Sequence, residues 1–395
     1  MSTVAFEVVT SEESFKDLAG SWNDLVRAMP RPSPFLLHGW LLEWWRHFGH
    51  GCELAVHLAF RDRRLVAALP LLVRSRRGLR VGEFLGSYES ALADLLLAAG
   101  EDPSIGSDLA ERVRASRVDL LDLFGLPAQS RLATALGSAL RLIERVEAPT
   151  LDTTRGWEAV YRARTNTRSR SLHRRRERQL AELGQIDVSL ARTPAELEGA
   201  LEDAFRLHAL RWRGRPDHST FGNRVGTAFH RAALAALAHD DVARIVTLKL
   251  AGRAIAFHYY FVLCRRMYVH RLAFDPALSR YSPGLICTLA ALEAACSEGV
   301  ERVEFLGGGE RYKLELADRQ EPLYQGLGLA RTPYARAFLL ARLASIRTQL
   351  RLKRSSAFVH FYYHWLGRAR LLRLSLLRRS EAPGPPKSRG RRLKD

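Results

Sequence analysis

A carboxylate, a phenol and an amine follow a run of glycines late in the chain, where Glu310, Tyr312 and Lys313 come after Gly307–Gly309. Because glycine has no side chain, backbone and substrate can approach closely at such a run. A carboxylate there can take a proton from an attacking nucleophile, and a tyrosine can return one to a departing group. We therefore predict Glu310 as a general base and Tyr312 as a general acid. The alternatives are that Glu310 only pairs with neighbouring cations or is solvated, and that Tyr312 is structural.

Two further residues extend this candidate site. Lys313 is conspicuous because only six of the 61 basic residues are lysines. An ammonium group there can contact a phosphate or a carboxylate of the substrate, so we predict substrate binding, with an ordinary surface position as the alternative. Asp275 falls at the end of a predicted strand facing the same cleft, and it is the second candidate for the base.

The segment Met267–Lys313 carries these residues. Its pattern predicts a strand, a polar loop, an amphipathic helix, a second strand and a glycine-rich turn. The loop would place backbone N–H groups at the start of the helix, where a phosphate or pyrophosphate binds. Tyr281 in this loop also rivals Tyr312 as the general acid. The predicted anion-binding residues are Arg280, Tyr281, Ser282 and Gly284.

Three more residues are predicted to contact substrate. His258 and Arg271 lie on adjacent apolar strands, and Trp212 ends a helix before a long polar loop. The alternatives are a hydrogen-bonded place in the core for His258 and its neighbour His270, and a loop anchor for Trp212. Histidines and cysteines do not cluster at ligand spacing, so we predict no metal.

The order of elements repeats within the chain. A helix at 11–29 precedes a second helix and two strands joined by a polar turn, and the same order restarts at Thr193. We predict an α/β protein of two similar tandem units, each with a mixed, mostly antiparallel sheet flanked by helices. The predicted domains are residues 1–150, residues 151–330, and a basic helical tail with a disordered end at 331–395.

Several phrases of the sequence resemble a known superfamily. The segment Met267–Lys313 resembles the acyl-CoA-binding core of GNAT N-acetyltransferases. The chain also resembles the CelD-like, cellulose-biosynthesis-associated proteins of that superfamily, which carry a BioF-like acetyltransferase domain, and this likeness covers roughly residues 5–330. The phrases are FLLHGWLLEWW (35–45), LPLLVR (69–74), LHALRW (207–212), AFD (273–275), SPG (282–284) and FLGGGERYK (305–313).

This resemblance implies two GNAT-like units, the first degenerate and the second catalytic. It implies acetyl-CoA or another acyl-CoA as co-substrate, and an amine or hydroxyl of a small molecule, sugar, or envelope or polysaccharide precursor as acceptor. Backbone N–H groups near Leu272–Phe274 would stabilise the oxyanion, and Tyr312 would protonate the departing thiolate.

The loop departs from the usual acetyltransferase pattern, Arg/Gln-x-x-Gly-x-Gly/Ala. Arg280 fits its first position, but Gly284 comes one residue late and Pro283 removes one amide donor. The tandem order is also similar to the Fem-type ligases, which transfer amino acids from aminoacyl-tRNA and in which a lysine at a comparable place lies near substrate. Two alternatives to acyl-CoA transfer therefore remain: an aminoacyl-tRNA-dependent ligase, and a non-catalytic GNAT-fold protein that binds polysaccharide machinery or RNA.

Composition limits the remaining classes. The 395 residues are 47% hydrophobic and 26% charged, as in folded proteins. The sequence contains no apolar run of about 18–20 residues, the length needed to cross a bilayer. The N-terminus lacks the features of a signal peptide, and the four cysteines are widely spaced. We predict a cytoplasmic protein with reduced thiols.

The formal net charge of +19 is unevenly distributed. Arginines concentrate at 162–178, in a segment predicted as one helix over 157–185, and in the tail after Arg331. The first cluster can recognise CoA phosphates or a tRNA acceptor stem. The tail, with aromatic residues at 358–365, can contact an acidic membrane or RNA, and a solvated surface or a helix packed on the domain is the alternative.

Overall fold

The computed structural model describes residues 3–213, 220–307 and 311–354. One compact unit comprises Met1–Arg211 and Ser219–Ala344, and a second comprises Trp212–His218 and Ser345–Asp395. Both β-sheets lie in the first unit. Glu310 and the predicted aromatic helix of the tail lie outside the described residues, so their predictions are untested.

The described chain contains both β-strands and α-helices. The strands are β1 (Val4–Val9), β2 (Cys52–Arg61), β3 (Arg64–Arg76), β4 (Leu79–Phe84), β5 (Leu96–Leu97), β6 (Leu120–Pro127), β7 (Leu140–Val146), β8 (Pro149–Asp152), β9 (Ile186–Ala191), β10 (Ala243–Leu250), β11 (Arg253–Leu263), β12 (Arg266–Phe274), β13 (Arg302–Glu304), β14 (Arg319–Gln320) and β15 (Leu323–Gly328).

The α-helices cover or connect these strands. They are α1 (Glu12–Lys16), α2 (Ala19–Arg27), α3 (His38–Phe48), α4 (Ser104–Ala115), α5 (Arg131–Leu136), α6 (Trp157–Arg164), α7 (Thr167–Ala181), α8 (Pro194–Trp212), α9 (Arg224–Ala236), α10 (Pro283–Ser297), α11 (Arg311–Leu316) and α12 (Pro333–Arg354). Short 3-10 helices occupy Pro34–Leu36, Gly137–Ala139, Thr220–Gly222, Ala238–Asp240 and Pro276–Tyr281.

The two sheets share one topology. Counted from one edge, the strand order of the first sheet starts β1-β2-β3-β4-β6. Counted from its β9 edge, the strand order of the second sheet starts β9-β10-β11-β12-β13. In each, the first four strands are antiparallel and the last pair, β4 with β6 or β12 with β13, is parallel across a helical crossover. The strand order is therefore repeated, and the predicted fold class of two tandem units with mixed sheets is confirmed.

Each sheet is completed by strands from elsewhere in the chain. Strand β15, late in the sequence, lies between β6 and β7 of the first sheet and is antiparallel to both. Strands β8 and β14 extend the second sheet beyond β13. The domain boundaries predicted at residues 150 and 330 stay predictions. The chain crosses between the sheets from β7 to β8 and again from β14 to β15.

Local sequence explains where helices begin. The prediction of a single helix over 157–185 is wrong, because the helix is interrupted between α6 and α7, next to Asn166. The Asn166 side chain accepts a hydrogen bond from the Ser169 amide at 2.8 Å and so caps α7. The equivalent helices α3 and α9 of the two repeats pack against each other, which joins the two halves through a shared aromatic core.

Candidate active site

The parallel strands β12 and β13 separate after a short pairing. Only Arg266, Met267 and Tyr268 pair with β13, which ends at Glu304 while β12 continues to Phe274. Strand β12 pairs with β11 along its other edge. Among the described residues the later part of β12, including Leu272–Phe274, therefore has one edge without a strand partner. Its backbone groups can bind an extended ligand there.

A β-bulge lies at this separation. Tyr259 of β11 pairs with Arg271 and Tyr260 pairs with Val269, which leaves His270 as the extra residue on β12. The bulge turns both His270 and Arg271 toward the same face of the sheet. The His270 ring contacts the Tyr259 ring with centroids 5.0 Å apart, and Arg271 donates a hydrogen bond to Glu89 at 2.9 Å.

Glu89 comes from the first repeat, on a turn with unusual backbone angles. Gly86 has a φ of +94° and Tyr88 a φ of +74°, a strained conformation for a bulky residue. A Cβ at Gly86 would lie 2.3 Å from the Ser90 hydroxyl, so glycine is required there. The turn directs the Glu89 carboxylate, which is 5% exposed, toward β12 of the second repeat.

Six residues from both repeats form a polar group whose members are buried or half-buried, here called the Glu89 cluster. The Glu89 carboxylate accepts hydrogen bonds from Thr220 and Arg271, and its Oε2 lies 3.8 Å from the Nε2 of His230. Among the described residues, both ring nitrogens of His230, Nε2 of His270 and the Tyr259 hydroxyl have no hydrogen-bond partner. The members are Glu89, Thr220, His230, Tyr259, His270 and Arg271.

Burial fixes the protonation state of the two histidines. Desolvation, with a smaller contribution from the Arg271 charge, holds the pKa of His230 and of His270 well below the ordinary value of 6.5. Both imidazoles are therefore neutral at physiological pH and can accept a proton or a hydrogen bond. Aromatic rings of both repeats pack around them: Phe35, Trp40, Phe221, Phe229 and Phe261.

The cluster also contains three potential metal ligands. Ligand atoms of Glu89, His230 and His270 lie within 4.8 Å of one another. The Arg271 guanidinium already balances the Glu89 charge at 2.9 Å, however, so a cation there would meet a neighbouring positive group. The absence of a metal stays a prediction, and the cluster resembles a charge-balanced polar site.

The predicted anion-binding loop forms the turn between β12 and α10. Ser282 is left-handed, with a φ of +55°, and its carbonyl accepts the amides of Leu285 and Ile286. Pro283 has no amide hydrogen, so Gly284 carries the only amide of the first four α10 residues left for a ligand. The loop thus offers fewer backbone donors than a typical phosphate-binding helix start.

Side chains around this loop add positive charge. The Arg211 guanidinium lies 4.3 Å from the centroid of the Phe274 ring, and a Cβ at Gly284 would lie 2.8 Å from the same ring. Arg280 stacks on the neighbouring Tyr281 ring at 4.5 Å. Gly284 is thus required for close packing between α10 and the end of β12. The roles predicted for the loop residues in binding stay predictions.

Asp275 has a structural partner. Its carboxylate accepts the Ala277 amide at 3.0 Å and caps the 3-10 helix that follows β12. This bond engages one carboxylate oxygen in holding the turn, which favours the structural alternative over a role as the base.

The structure brings two predicted substrate contacts together on the other face of the second sheet. The buried Lys313 amine donates a hydrogen bond to the Gly307 carbonyl at 2.9 Å, just beyond the end of β13. His258 on β11 is fully buried, and burial, with a smaller contribution from Lys313, lowers the pKa of His258 to about 3. Tyr312 packs against the hydrophobic core that β11, β12 and α10 form on this side of the second sheet. Trp212 is the last residue of α8.

Sequence reasoning missed four members of the Glu89 cluster, Glu89, Thr220, His230 and Tyr259, of which Glu89 and His230 carry a carboxylate and an imidazole. Glu89 lies in an unremarkable loop, and its only signal is the Gly86–Ser90 turn around it. His230 belongs to the apolar face of α9, where a histidine is usually a core residue. Both are recruited by contacts between the repeats.

The basic segment lies beside the predicted donor loop. Helix α7 packs against the 3-10 helix Pro276–Tyr281, and it carries exposed arginines along its length. The exposed members are Arg168, Arg174, Arg175 and Arg178. A polyanion bound at the loop would therefore meet a positively charged helix.

Residues 167–314 match the model of the Acetyltransferase (GNAT) domain. The match spans the second repeat from α7 to α11, including the separated strands. Together with the repeated topology, it supports the GNAT superfamily, with GNAT-like units in tandem. No curated protein matches the chain.

Solved structures share this fold at low sequence identity. FemX is 10% identical, with 81% of this chain and 96% of FemX covered and a TM-score of 0.54. A conserved protein of unknown function from Bacteroides thetaiotaomicron is 12% identical (82% and 100% covered, TM-score 0.52), and L-PGS from Bacillus licheniformis is 13% identical (84% and 95%, TM-score 0.51). At these identities the likeness concerns the fold alone. No described helix is long and apolar enough to span a membrane.

Proposed function

We propose that the chain is an acyltransferase that moves an acyl group from acyl-CoA to an amine or hydroxyl of a sugar, small molecule or envelope precursor. One observation carries the proposal: the parallel strands β12 and β13 separate beside a helix start, and the Glu89 cluster, with residues from both repeats, lies at the separation. An extended thioester can pair with the open edge of β12 there. The CelD-like resemblance supports an acceptor used in making extracellular polysaccharide.

The proposed reaction is direct attack on the donor. The acceptor lone pair forms a bond to the thioester carbon, and backbone amides at the open edge near Leu272–Phe274 stabilise the resulting oxyanion. The carbon–sulfur bond then breaks, and the thiolate takes a proton from a nearby acid, for which Tyr312 is the candidate. The acceptor proton must leave in the same sequence.

We propose that His270 is the base that accepts the proton lost by the acceptor. It is neutral, lies on the bulge where the strands separate, and has an Nε2 without a partner among the described residues. Burial and the nearby Arg271 charge disfavour a lasting imidazolium, so His270 would act as a transient proton acceptor. Glu310 remains the base predicted from sequence, and Asp275 is less suited because it caps a turn.

A second candidate is transfer from aminoacyl-tRNA. The exposed arginines of α7 beside the loop favour a large polyanionic donor, and the single open amide of α10 suits a donor with few phosphate contacts. The resemblance to Fem-type ligases suggests the same donor. The basic tail would contact either donor, or the surface of a membrane, through its positive charge.

A ligand titration tests the donor. Acetyl-CoA and longer acyl-CoAs at about 100 times the dissociation constant should stabilise the wild type by roughly 2.7 kcal/mol in a thermal shift assay. Ser282→Asp adds a negative charge at the loop without demanding a new backbone conformation, and it should weaken binding at least tenfold. Ser297→Asp, which places the same charge at the far end of α10, should bind like the wild type.

Two results would count against acyl-CoA as the donor, and a third would count against its binding at this loop. Absence of stabilisation by any CoA species would refute it as donor, and salt-sensitive binding of aminoacyl-tRNA by the same protein would favour the second candidate. Equal binding by Ser282→Asp and the wild type would place the donor away from this loop.

The base is tested by comparing two variants for CoA thiol release from acetyl-CoA with glucosamine as the probe acceptor. His270→Gln should lower turnover by about 10²–10⁴, because general base catalysis contributes that much. Glu310→Gln should retain turnover within about tenfold. The reverse order of effects would identify Glu310 as the base and make the assignment to His270 wrong.

A further inference from the structure

A cavity of about 400 Å³ lies away from the proposed acyl-transfer site, at the opposite ends of β12 and β13. The cavity lies where the first residues of β12 and β13 meet the segment that follows β6 and the segment that precedes β15. Its volume falls in the range of small-molecule sites. The residues that line it include four arginines from four different segments, which are Arg31, Arg131, Arg266 and Arg302.

Acidic residues balance only part of this charge. The fully buried Glu304 accepts hydrogen bonds from Arg31 at 2.7 Å and Arg266 at 3.1 Å, and Glu321 pairs with Arg302. Among the described residues, Nε of Arg31 is buried without a hydrogen-bond partner, and Nε of Arg302, also without a hydrogen bond, lies 3.7 Å from the Glu304 carboxylate. Buried donors of this kind usually meet a water, an ion or a ligand.

The remaining acid in the lining, Asp94, is already satisfied. Its carboxylate accepts hydrogen bonds from the Ser130 hydroxyl at 2.7 Å and from the Arg131 and Leu132 amides at 2.8 and 3.0 Å. It therefore acts as an internal cap for α5. The lining thus keeps an excess of guanidinium groups over free carboxylates.

Apart from Gln129 and Gln320, the other walls of the cavity are apolar. They are formed by Met29, Pro30, Leu92, Pro127 and Pro322. A ligand that satisfies both surfaces needs an oxyanion for the arginines and a hydrocarbon or ring body for the apolar wall.

We propose that this cavity binds a small organic anion, a carboxylate or phosphate ester on an apolar body. The site is separate from acyl transfer and does not depend on that proposal. Arg266 and Arg302 are the first residues of β12 and β13, and the other ends of these two strands separate at the acyl-transfer site. A ligand bound to both arginines would therefore bridge the N-terminal ends of the two strands, away from the donor.

The test measures binding of four probes by calorimetry: phenyl phosphate, benzoate, inorganic phosphate and uncharged benzyl alcohol. Phenyl phosphate or benzoate should bind the wild type saturably with one site, at least tenfold tighter than inorganic phosphate and benzyl alcohol. Whichever of the two anions binds tighter identifies the oxyanion that the site prefers.

Two variants locate the site. Arg131→Gln removes a cavity guanidinium outside the Glu304 network and should weaken binding about tenfold or more, since charge-assisted hydrogen bonds are the strong ones. Ala128→Trp fills the cavity from a lining position and should abolish binding. Arg231→Gln, which removes an exposed arginine on α9, should bind like the wild type.

Three results would overturn the proposal. One is absence of saturable binding by either organic anion in the wild type. A second is binding of inorganic phosphate as tight as phenyl phosphate, because the apolar wall would then contribute nothing. The third is unchanged affinity in both Arg131→Gln and Ala128→Trp, which would place the anion elsewhere.

Discussion

Arg271→Leu should lower the free energy of unfolding by roughly 2–4 kcal/mol. The substitution leaves the Glu89 carboxylate, 4% exposed at its side chain, without its charged partner. Removing one member of a buried ion pair costs about 3–5 kcal/mol, and the partial exposure of Arg271 reduces that figure. Denaturant unfolding at neutral pH measures the change.

The matched control is Arg231→Leu. Arg231 pairs with Glu202 at 2.6 Å, but both side chains are about half exposed, so the loss should stay within about 1 kcal/mol. The double variant Arg271→Leu with Glu89→Gln should recover part of the lost stability, because no unpaired charge then remains buried. Equal losses in Arg271→Leu and Arg231→Leu would show that the Glu89 cluster is not desolvated as described.

Gly226→Ala should cost about 3 kcal/mol or more. A Cβ at this position would lie 1.8 Å from the Thr220 carbonyl oxygen and 2.4 Å from its carbon, and backbone atoms cannot rotate away as a flexible side chain can. The clash would displace the start of α9 from the Thr220–Gly222 turn. Thermal and denaturant unfolding report the loss.

Gly199→Ala provides the contrast. Gly199 lies on the exposed face of α8, and an added Cβ there would have no neighbouring atom within 4 Å, so alanine should stabilise by up to about 1 kcal/mol through helix propensity. A mild effect of Gly226→Ala, close to that of Gly199→Ala, would contradict the tight contact between α9 and the turn. The Gly226 variant should also weaken any function of the Glu89 cluster, since both His230 and Thr220 flank the contact.

The sequence predicts the repeated architecture well because hydrophobic periodicity reports local structure. The helix and strand order after Thr193 mirrors the first half, and the sheets have the same strand order. The segment Arg280–Gly284 also lies where predicted, after β12 and at the start of α10. These features depend on contacts close in sequence or on alternation within a strand.

The polar cluster was not predictable in the same way. Glu89, His230 and His270 are far apart in sequence and meet only because the two repeats face each other across an aromatic core. The β-bulge that turns His270 and Arg271 to one face leaves no clear mark in the sequence of β12. Asp275 looked catalytic because it ends a strand, yet such positions also cap the turns that follow.

The position of β15 between β6 and β7 also determines when the first sheet can be completed during synthesis on the ribosome. Strands β6 and β7 leave the ribosome early, but β15, which lies between them, follows about 180 residues later. At roughly 5–20 residues per second, the edges of both strands wait about 10–40 s for their partner. Exposed strand edges readily pair with other chains. Nascent chains of this protein should therefore be most dependent on chaperones during the interval before β15 emerges.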